Sequence, residues 1–174
     1  MAKIIYKEGH EGQNTIESIE GIEIGLFNGQ KALTYPKYAT KPLLESIKID
    51  MWNAFEKTEI EALKEDDNLL ATKLLWTFGS PAAKYVNNFY SDKYNNFGLP
   101  TLLAAMEIQD QKEDIDKLAE LIDGADLLRN FDSYIWTCFR YNEKYGWVVF
   151  GNGGFALGNY LCNSHLIVPT ILYR

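Results

Sequence analysis

The sequence contains few of the residues that build disulfide frameworks, metal sites or nucleophilic catalytic centres. Its 174 residues include two cysteines, Cys138 and Cys162, and two histidines, His10 and His165. Two cysteines do not make a disulfide framework, so we predict small buried thiols. A bridge between them is also compatible with the sequence, because both lie in a segment expected to form a sheet. Cys162 and His165 stand three residues apart without a second pair at a metal-ligand interval. We therefore expect no metal, no cofactor and no catalytic constellation.

Basic runs and long apolar runs are also missing. The chain has 24 acidic and 17 basic residues, for a net charge of −7. An acidic balance repels phosphate backbones, which argues against a nucleic-acid partner. No apolar stretch reaches the roughly 20 residues needed to span a bilayer, so we expect no membrane insertion. The opening residues MAKIIYKEGHEG lack the apolar core of a signal peptide. We expect a protein that is made and left in a cytoplasm unless it is released by a route other than secretion.

The first 50 residues have the pattern of strands and turns. Residues 3–6 form a short strand candidate, and residues 21–27 alternate with the period of a half-buried strand. Asn28-Gly29 is a strong hairpin signal, which predicts a returning strand over residues 31–35.

Helical patterns occupy the middle of the chain. Residues 45–76 are irregularly helical, with a common apolar face formed by Ile47, Met51, Trp52 and Phe55. The acidic stretch within this region is interpreted as a solvated face or loop. Further helices are predicted over residues 81–89, 102–109 and 114–123. Ser80 and Thr101 act as N-caps of the first two, and Gly124 lies at the C′ position of the third.

Short strand-like runs follow residue 130. They cover residues 134–139, 147–150, 155–157 and 166–173. Strands, then helices, then a compact antiparallel sheet predict an α+β fold. We expect an N-terminal part over residues 1–77, which mediates oligomerisation or docking, and a second domain over residues 78–174.

The stretch GWVVFGNGGFALGN, residues 146–159, contains five glycines after an apolar run. A dinucleotide loop needs its glycines to lead directly into a helix that receives the phosphate. Here no helical periodicity follows, and the spacing of Gly151, Gly153 and Gly158 misses the G-x-G-x-x-G pattern by two residues. A turn around Asn152-Gly153 explains the same residues, so a nucleotide site is not expected.

The C-terminal region is dense in aromatic and asparagine residues. Such a mixture suits the binding of a sugar or a protein surface, because the rings bury area and the amides fix orientation. The alternative is that the tryptophans belong to the core and the asparagines to turns. The residues concerned are Trp136, Arg140, Tyr141, Asn142, Tyr145, Trp147, Asn152, Asn159, Tyr160, Asn163 and His165.

Several motifs in this half occur in the order of a known family. Residues 82–85, a Tyr/Asn loop and Gly98-Leu99-Pro100-Thr101 resemble the helix, loop and "RLPT" helix start of C-type-lectin-like domains. Residues 134–138, 146–153 and 167–172 resemble that family's "YWSS" strand, its aromatic strand with a turn, and its closing "vRPV" strand. The branch concerned occurs in bacterial surface and phage proteins. It is related to the formylglycine-generating-enzyme fold and to the variable proteins of diversity-generating retroelements.

The resemblance implies a C-type-lectin-like fold with a small mixed or antiparallel sheet and two to three helices. An N-terminal hairpin and a helical segment would precede it. Gly98 and Val168 stand where the family usually has Arg. The calcium-dependent sugar signatures of animal lectins are missing, and the active-site cysteines of the formylglycine enzymes do not map onto Cys138 and Cys162. The fold is therefore expected to transfer without that catalysis.

Lectin-like domains of this branch usually work outside a cell, yet this sequence has no export signal. Together these two features favour a phage virion protein that is not an enzyme. A head fibre, a capsid decoration or a tail-associated protein would display a lectin-like surface to a host glycan or host protein. Its partners would be other virion proteins and copies of itself. A capsid-packing protein without a ligand and a cytoplasmic enzyme of the formylglycine-enzyme fold are the alternatives. The candidate contact residues are Trp136, Arg140, Tyr141, Asn152, Asn159 and Asn163. Replacing Arg140 and Tyr141 with alanine is expected to weaken adhesion without lowering the melting temperature.

Overall fold

The structure, a computed structural model, is an α+β fold and describes residues 1–45, 56–142, 144–151 and 154–174. The strands are β1 (Lys3–Tyr6), β2 (Ile19–Gly25), β3 (Lys31–Thr34), β4 (Ala39–Pro42), β5 (Tyr90–Ser91), β6 (Asn95–Asn96), β7 (Tyr134–Arg140), β8 (Tyr145–Phe150), β9 (Phe155–Tyr160), β10 (Ser164–Ile167) and β11 (Thr170–Tyr173). The helices are α1 (Glu59–Lys64), α2 (Leu69–Thr77), α3 (Pro81–Val86), α4 (Leu102–Asp110) and α5 (Lys112–Ala119).

A four-stranded antiparallel sheet joins the two ends of the chain. Its order is β1-β2-β3-β11, so the last strand lies beside the third. The β2–β3 hairpin turns at Asn28-Gly29, where Gly29 has a φ of 84° that favours glycine. The predicted hairpin and the strand over residues 3–6 are confirmed.

A five-stranded mixed sheet has the order β4-β10-β7-β8-β9. β10 runs parallel to β7, and the other neighbours are antiparallel. β9 is the edge strand next to β8, and the short β5–β6 hairpin forms a separate pair. The residues that follow Gly154 form strand β9 and not a helix, which removes the geometry that a dinucleotide loop requires. The expected turn residues Asn152 and Gly153 lie outside the described residues.

Helix α4 lies between the two sheets. It packs on β7 and β8 and also contacts β2. Leu102, Ala105 and Ile108 recur on one face and are fully buried. One apolar cluster runs from Ile22 of β2 through this helix to Val149 of β8. Burying a side chain such as Ile108 contributes about 1.5–3 kcal/mol to stability.

The helix starts follow the predicted caps. The Ser80 hydroxyl accepts the Ala83 N–H at 3.1 Å, and the Thr101 hydroxyl accepts the Ala104 N–H at 3.3 Å. The region predicted as irregularly helical contains α1 and α2. The apolar face formed by Ile47, Met51, Trp52 and Phe55 lies outside the described residues.

The predicted end of the helix at Gly124 is wrong. α5 ends at Ala119, and Gly124 adopts its φ of 85° in the turn beyond. The Asp123 N–H donates to the Asn14 carbonyl at 2.8 Å, and the Ile16 N–H donates to the Asp123 carbonyl at 2.9 Å. These long-range bonds satisfy backbone groups that a longer helix would have used.

Three strand predictions also needed correction. β2 is buried along almost its whole length and is not half-buried. On the face that the alternating pattern predicted to be exposed, Gly21 packs against Leu33. The single strand expected over residues 166–173 is two strands in different sheets, broken at Val168-Pro169. β4 and the β5–β6 hairpin were not predicted.

Candidate ligand-binding cleft

Trp136 lies in the core. Its side chain is fully buried, and its indole N–H donates to the Lys41 carbonyl at 3.0 Å. The ring packs so closely that a Cβ on Gly146 would lie 2.8 Å from it. This residue therefore serves packing, and a ligand on the surface does not reach it.

Arg140 is also buried, with 2% of its side chain exposed. Its guanidinium donates to Glu56 Oε2 at 2.8 Å, and its carbonyl accepts the Lys57 N–H at 2.9 Å. Arg140 thus ties the segment before α1 to the end of β7. Arg140→Ala is therefore expected to lower the melting temperature, contrary to the expectation from the sequence, because it opens a void in the core and removes the ion pair with Glu56.

Tyr141 is a predicted contact residue that is available at the surface, with 46% of the residue exposed. Its ring meets Trp147 edge-on, with the ring centroids 4.9 Å apart. The ring also packs against Gly158 of β9, where a Cβ would lie 3.2 Å from it. Trp147 is buried, and its indole N–H donates to the Lys57 carbonyl at 2.8 Å. Since both neighbours belong to the sheet, the exposed ring has a fixed place.

Acidic residues at the start of α1 face this ring. Thr58 and Glu61 form a capping box, in which the Thr58 hydroxyl accepts the Glu61 N–H at 3.2 Å. The open cleft between the helix start and the ring has a volume of about 610 Å³. Its lining, called the Tyr141 cleft below, consists of Glu56, Thr58, Glu59, Glu61, Tyr141 and Trp147.

The charges of the Tyr141 cleft are mainly negative. Arg140 neutralises Glu56, and Lys57 lies 4.0 Å from Glu65, which is outside the cleft. Glu59 makes no ion pair with any residue that the structure describes. Acidic side chains in the first turn also stabilise the helix through its dipole, so they have a structural role here as well. The cleft combines an aromatic face with carboxylates, which attracts a cationic group.

The predicted asparagines lie elsewhere. The Asn163 amide donates to the Asn159 side-chain oxygen at 2.6 Å. Asn159 follows Gly158 in β9, and neighbouring strand residues point to opposite faces of a sheet. Asn159 is therefore on the face away from Tyr141. Asn152 lies outside the described residues.

The acidic side of the cleft was missed at the level of sequence, where residues 59–67 were interpreted as a solvated face or loop. The pattern Thr58-x-x-Glu61 is the signal that predicts a helix start at Glu59. No local pattern indicates that this helix start meets Tyr141, more than 75 residues further along the chain.

The cysteines are free thiols, so the alternative of a bridge is wrong. Cys138 is buried and Cys162 is exposed, which confirms the prediction of a buried thiol for Cys138 alone. Burial raises the pKa of the Cys138 thiol well above its usual range. His165 Nδ1 lies 3.4 Å from Asp132 Oδ2, between the rings of Tyr134 and Trp136. Across the described ranges, no three His, Cys, Asp or Glu side chains come together as a metal site would require.

Within the same ranges, every helix is too short or too polar to cross a bilayer. Comparisons of the chain with models of protein families, with curated proteins and with solved structures found no match.

Proposed function

We propose that the chain is a non-enzymatic attachment protein whose Tyr141 cleft holds an amino-bearing group of a host-surface glycan or protein. The observation that carries this proposal is the half-exposed Tyr141 ring, fixed by Trp147 and Gly158 opposite the carboxylates at the start of α1. An ammonium group over an aromatic face gains about 0.5–1 kcal/mol at an exposed site. Nearby carboxylates add charge-assisted hydrogen bonds.

The openness of the cleft favours a group presented on a larger partner. An open surface does not enclose a free small molecule, whereas an amino sugar or a lysine side chain can enter it from outside. The sheet beneath Tyr141 already holds the ring in place, so the ring loses little conformational entropy when a ligand binds.

A lectin-like fold is part of the proposal. The motifs that carry the resemblance coincide with elements in the expected order: α3, the α4 start at Thr101, β7, β8 and the closing strand β11. β11 pairs with β3 and so brings the chain ends together. These placements support a lectin-like fold over residues 78–174, with strands of the N-terminal part added to both sheets.

The resemblance to the phage branch supports a virion as the setting, with other virion proteins and copies of this chain as partners. Mass spectrometry of purified particles tests this setting. Recovery of the protein from cytosolic fractions of uninfected cells, and never from particles, would contradict it.

The binding proposal is tested with glucosamine, which is a cation at neutral pH, and N-acetylglucosamine, which is its neutral counterpart. NMR titration follows the indole N–H signal of Trp147. We expect glucosamine to bind more tightly than N-acetylglucosamine. Tyr141→Ala should weaken glucosamine binding roughly fivefold, the equivalent of about 1 kcal/mol. Tyr141→Phe keeps the ring and is the matched control, which should bind as the native protein does.

Glu59→Gln removes a cleft carboxylate that has no ion pair in the described structure, and it should reduce the preference for the cation. Equal binding of the two sugars by the native protein would contradict the proposal. Undiminished glucosamine binding by a folded Tyr141→Ala variant would contradict it as well. The dispersion of the amide signals shows whether each variant is folded.

A further inference from the structure

A second pocket lies between α2, α3 and the β5–β6 hairpin, away from the Tyr141 cleft. The turn Phe78-Gly79-Ser80 joins the two helices, and Gly79 has a φ of 81° that favours glycine. The hairpin closes the third side, where Tyr94 stacks on Tyr173 of the four-stranded sheet with the ring centroids 4.3 Å apart. The pocket has a volume of about 180 Å³.

The floor of this pocket is apolar and well packed. Ala83 and Phe97 are buried beneath it, and Leu69 forms one edge. The Thr72 hydroxyl is occupied, since it donates to the Asn68 carbonyl at 2.6 Å and accepts the Leu99 N–H at 3.0 Å. The floor therefore offers apolar contact and no free polar group.

One wall is the Trp76 indole. This residue is 51% exposed, although it follows the buried Leu75 in α2. Its indole N–H has no acceptor among the residues that the structure describes. A half-exposed indole beside a pocket presents a flat face to the ring of a ligand and a donor at its edge.

The rim carries three further polar side chains whose groups are unused. Lys73 forms no ion pair, and the amides of Asn87 and Asn96 form no hydrogen bond, within the described ranges. Their backbones are nevertheless fixed. Asn87 ends α3, where its N–H donates to the Ala83 carbonyl, and Asn96 pairs with Tyr90 in the hairpin. The rim thus offers donors on an ordered backbone that the fold itself does not use.

The charge of this pocket is opposite to that of the whole protein. None of its lining residues is acidic, and Lys73 contributes a positive charge, whereas the chain carries a net charge of −7. An anion entering here meets an ammonium, an indole N–H and two amides, each of which can donate a hydrogen bond. The volume is below the roughly 300–1,000 Å³ of pockets that hold drug-sized molecules, so it suits a single ring.

From these features we infer that the pocket lined by Trp76, Lys73, Asn87 and Asn96 binds one pyranose ring that bears a carboxylate, as in a uronic acid. The ring packs on the indole, its hydroxyl groups meet the two amides, and the carboxylate pairs with Lys73. This site shares no residue with the Tyr141 cleft and selects the opposite charge. An experiment can therefore contradict one binding proposal without contradicting the other.

The test uses methyl glucuronide as the probe and methyl glucoside as its neutral counterpart. NMR titration of the intact chain follows the indole N–H signal of Trp76. We expect the glucuronide to bind roughly fivefold more tightly than the glucoside, as expected for one exposed charge pair. Lys73→Met should abolish this preference and leave glucoside binding in place. Lys64→Met, which removes an exposed lysine from α1, is the matched control and should leave the preference unchanged.

In the Trp76 variants, which lack the indole signal, binding is followed by the side-chain amide signals of Asn87 and Asn96. Trp76→Leu should remove the binding of both sugars, while Leu70→Ala, at an exposed position of the same helix outside the pocket, should not. If Trp76→Leu impairs folding, Trp76→Phe keeps a ring and should weaken both sugars by less than Trp76→Leu does. Three outcomes would overturn the inference: no binding of the glucuronide at millimolar concentration, acetate binding as tightly as the glucuronide, or binding that survives the loss of Trp76 in a folded variant.

Discussion

At the scale of single residues, Glu23 shows how a carboxylate is held within the fold. Its carboxylate lies 3.2 Å from Lys3 Nζ and 3.9 Å from Lys31 Nζ, and it accepts a hydrogen bond from the Tyr173 hydroxyl. Burial on its own would raise the pKa of Glu23. The hydrogen bonds from Tyr173 and Lys3 and the two lysine charges outweigh burial, so the pKa is lowered from its ordinary value of 4.5. Burial raises the pKa of Tyr173, and the hydrogen bonds to Glu23 and Tyr94 and the negative charge of Glu23 raise it further.

Glu23→Gln is expected to destabilise the protein at neutral pH and to have less effect in acid. Since the pKa is lower in the folded state, the ionised carboxylate stabilises that state. This contribution is fully present above the ordinary value of 4.5, which applies to the unfolded chain, and it is lost as the pH falls through the folded value. Melting temperatures between pH 7 and pH 3 measure it. The gap between the native protein and Glu23→Gln should narrow below about pH 4.

Glu11→Gln is the control for this experiment, because Glu11 is exposed and forms no ion pair within the described ranges. A Glu23→Gln effect that stays constant across the pH range would show that the carboxylate charge contributes nothing to stability.

At the scale of elements, a buried polar cluster joins the start of α2 to β11. The Asn68 amide donates to the Leu99 carbonyl at 2.8 Å and to the Thr170 carbonyl at 3.0 Å. Gly98 exchanges two backbone hydrogen bonds with Thr170. A Cβ at Gly98 would lie 2.8 Å from Thr72 Oγ1 and 2.9 Å from Asn68 Nδ2. These two polar side chains occupy the space that a larger residue at this position needs.

Gly98→Ala is therefore expected to destabilise the protein by about 1–3 kcal/mol, through overpacking and the displacement of Asn68 or Thr72. Urea denaturation measures the free energy of unfolding. Gly25→Ala is the matched control, because a Cβ at Gly25 meets no atom within 4 Å. It should change the free energy of unfolding by less than about 0.5 kcal/mol. Equal effects of the two substitutions would mean that the cluster tolerates an added methyl group.

At the scale of the whole molecule, strands from both sides of residue 77 share both sheets. β3 pairs with β11 in one sheet, and β4 pairs with β10 in the other. The apolar core is likewise continuous between the two parts. Removing residues 1–77 would leave β10 and β11 with unpaired edges and would expose the core face of α4 that contacts β2.

The fragment of residues 78–174 is therefore expected not to fold cooperatively by itself. Circular dichroism during thermal denaturation compares the unfolding transition of the fragment with that of the full chain. A sharp transition and a well-dispersed NMR spectrum for the fragment would establish residues 78–174 as an independent domain with the predicted boundary.

Much of the secondary structure could be predicted because its causes lie close together in the chain. The Asn28-Gly29 turn and the Ser80 and Thr101 caps depend on side chains within three residues of the backbone they direct. The end of α5 could not be predicted, because Asn14 and Ile16 compete for the backbone of Asp123 from more than 100 residues away.

The candidate site was predictable only in part, for the same reason. Tyr141 was identified by its residue type and its neighbourhood, and it is exposed. Trp136 and Arg140 share that neighbourhood, yet they are buried by Lys41, Gly146 and Glu56. Composition indicates which residues are suited to binding, but their exposure depends on what the rest of the chain places over them.

The sequence by itself determined the local chemistry of this protein: its turns, its helix starts, its α+β class and its negative charge. Those features depend on interactions between near neighbours and on the summed composition. Only the tertiary structure decided that the acidic start of α1 faces Tyr141, that Trp76 stands beside two unused amides, and that the last strand closes the first sheet. These arrangements join distant segments, and they are selected because burying one continuous apolar core outweighs the entropy of bringing those segments together.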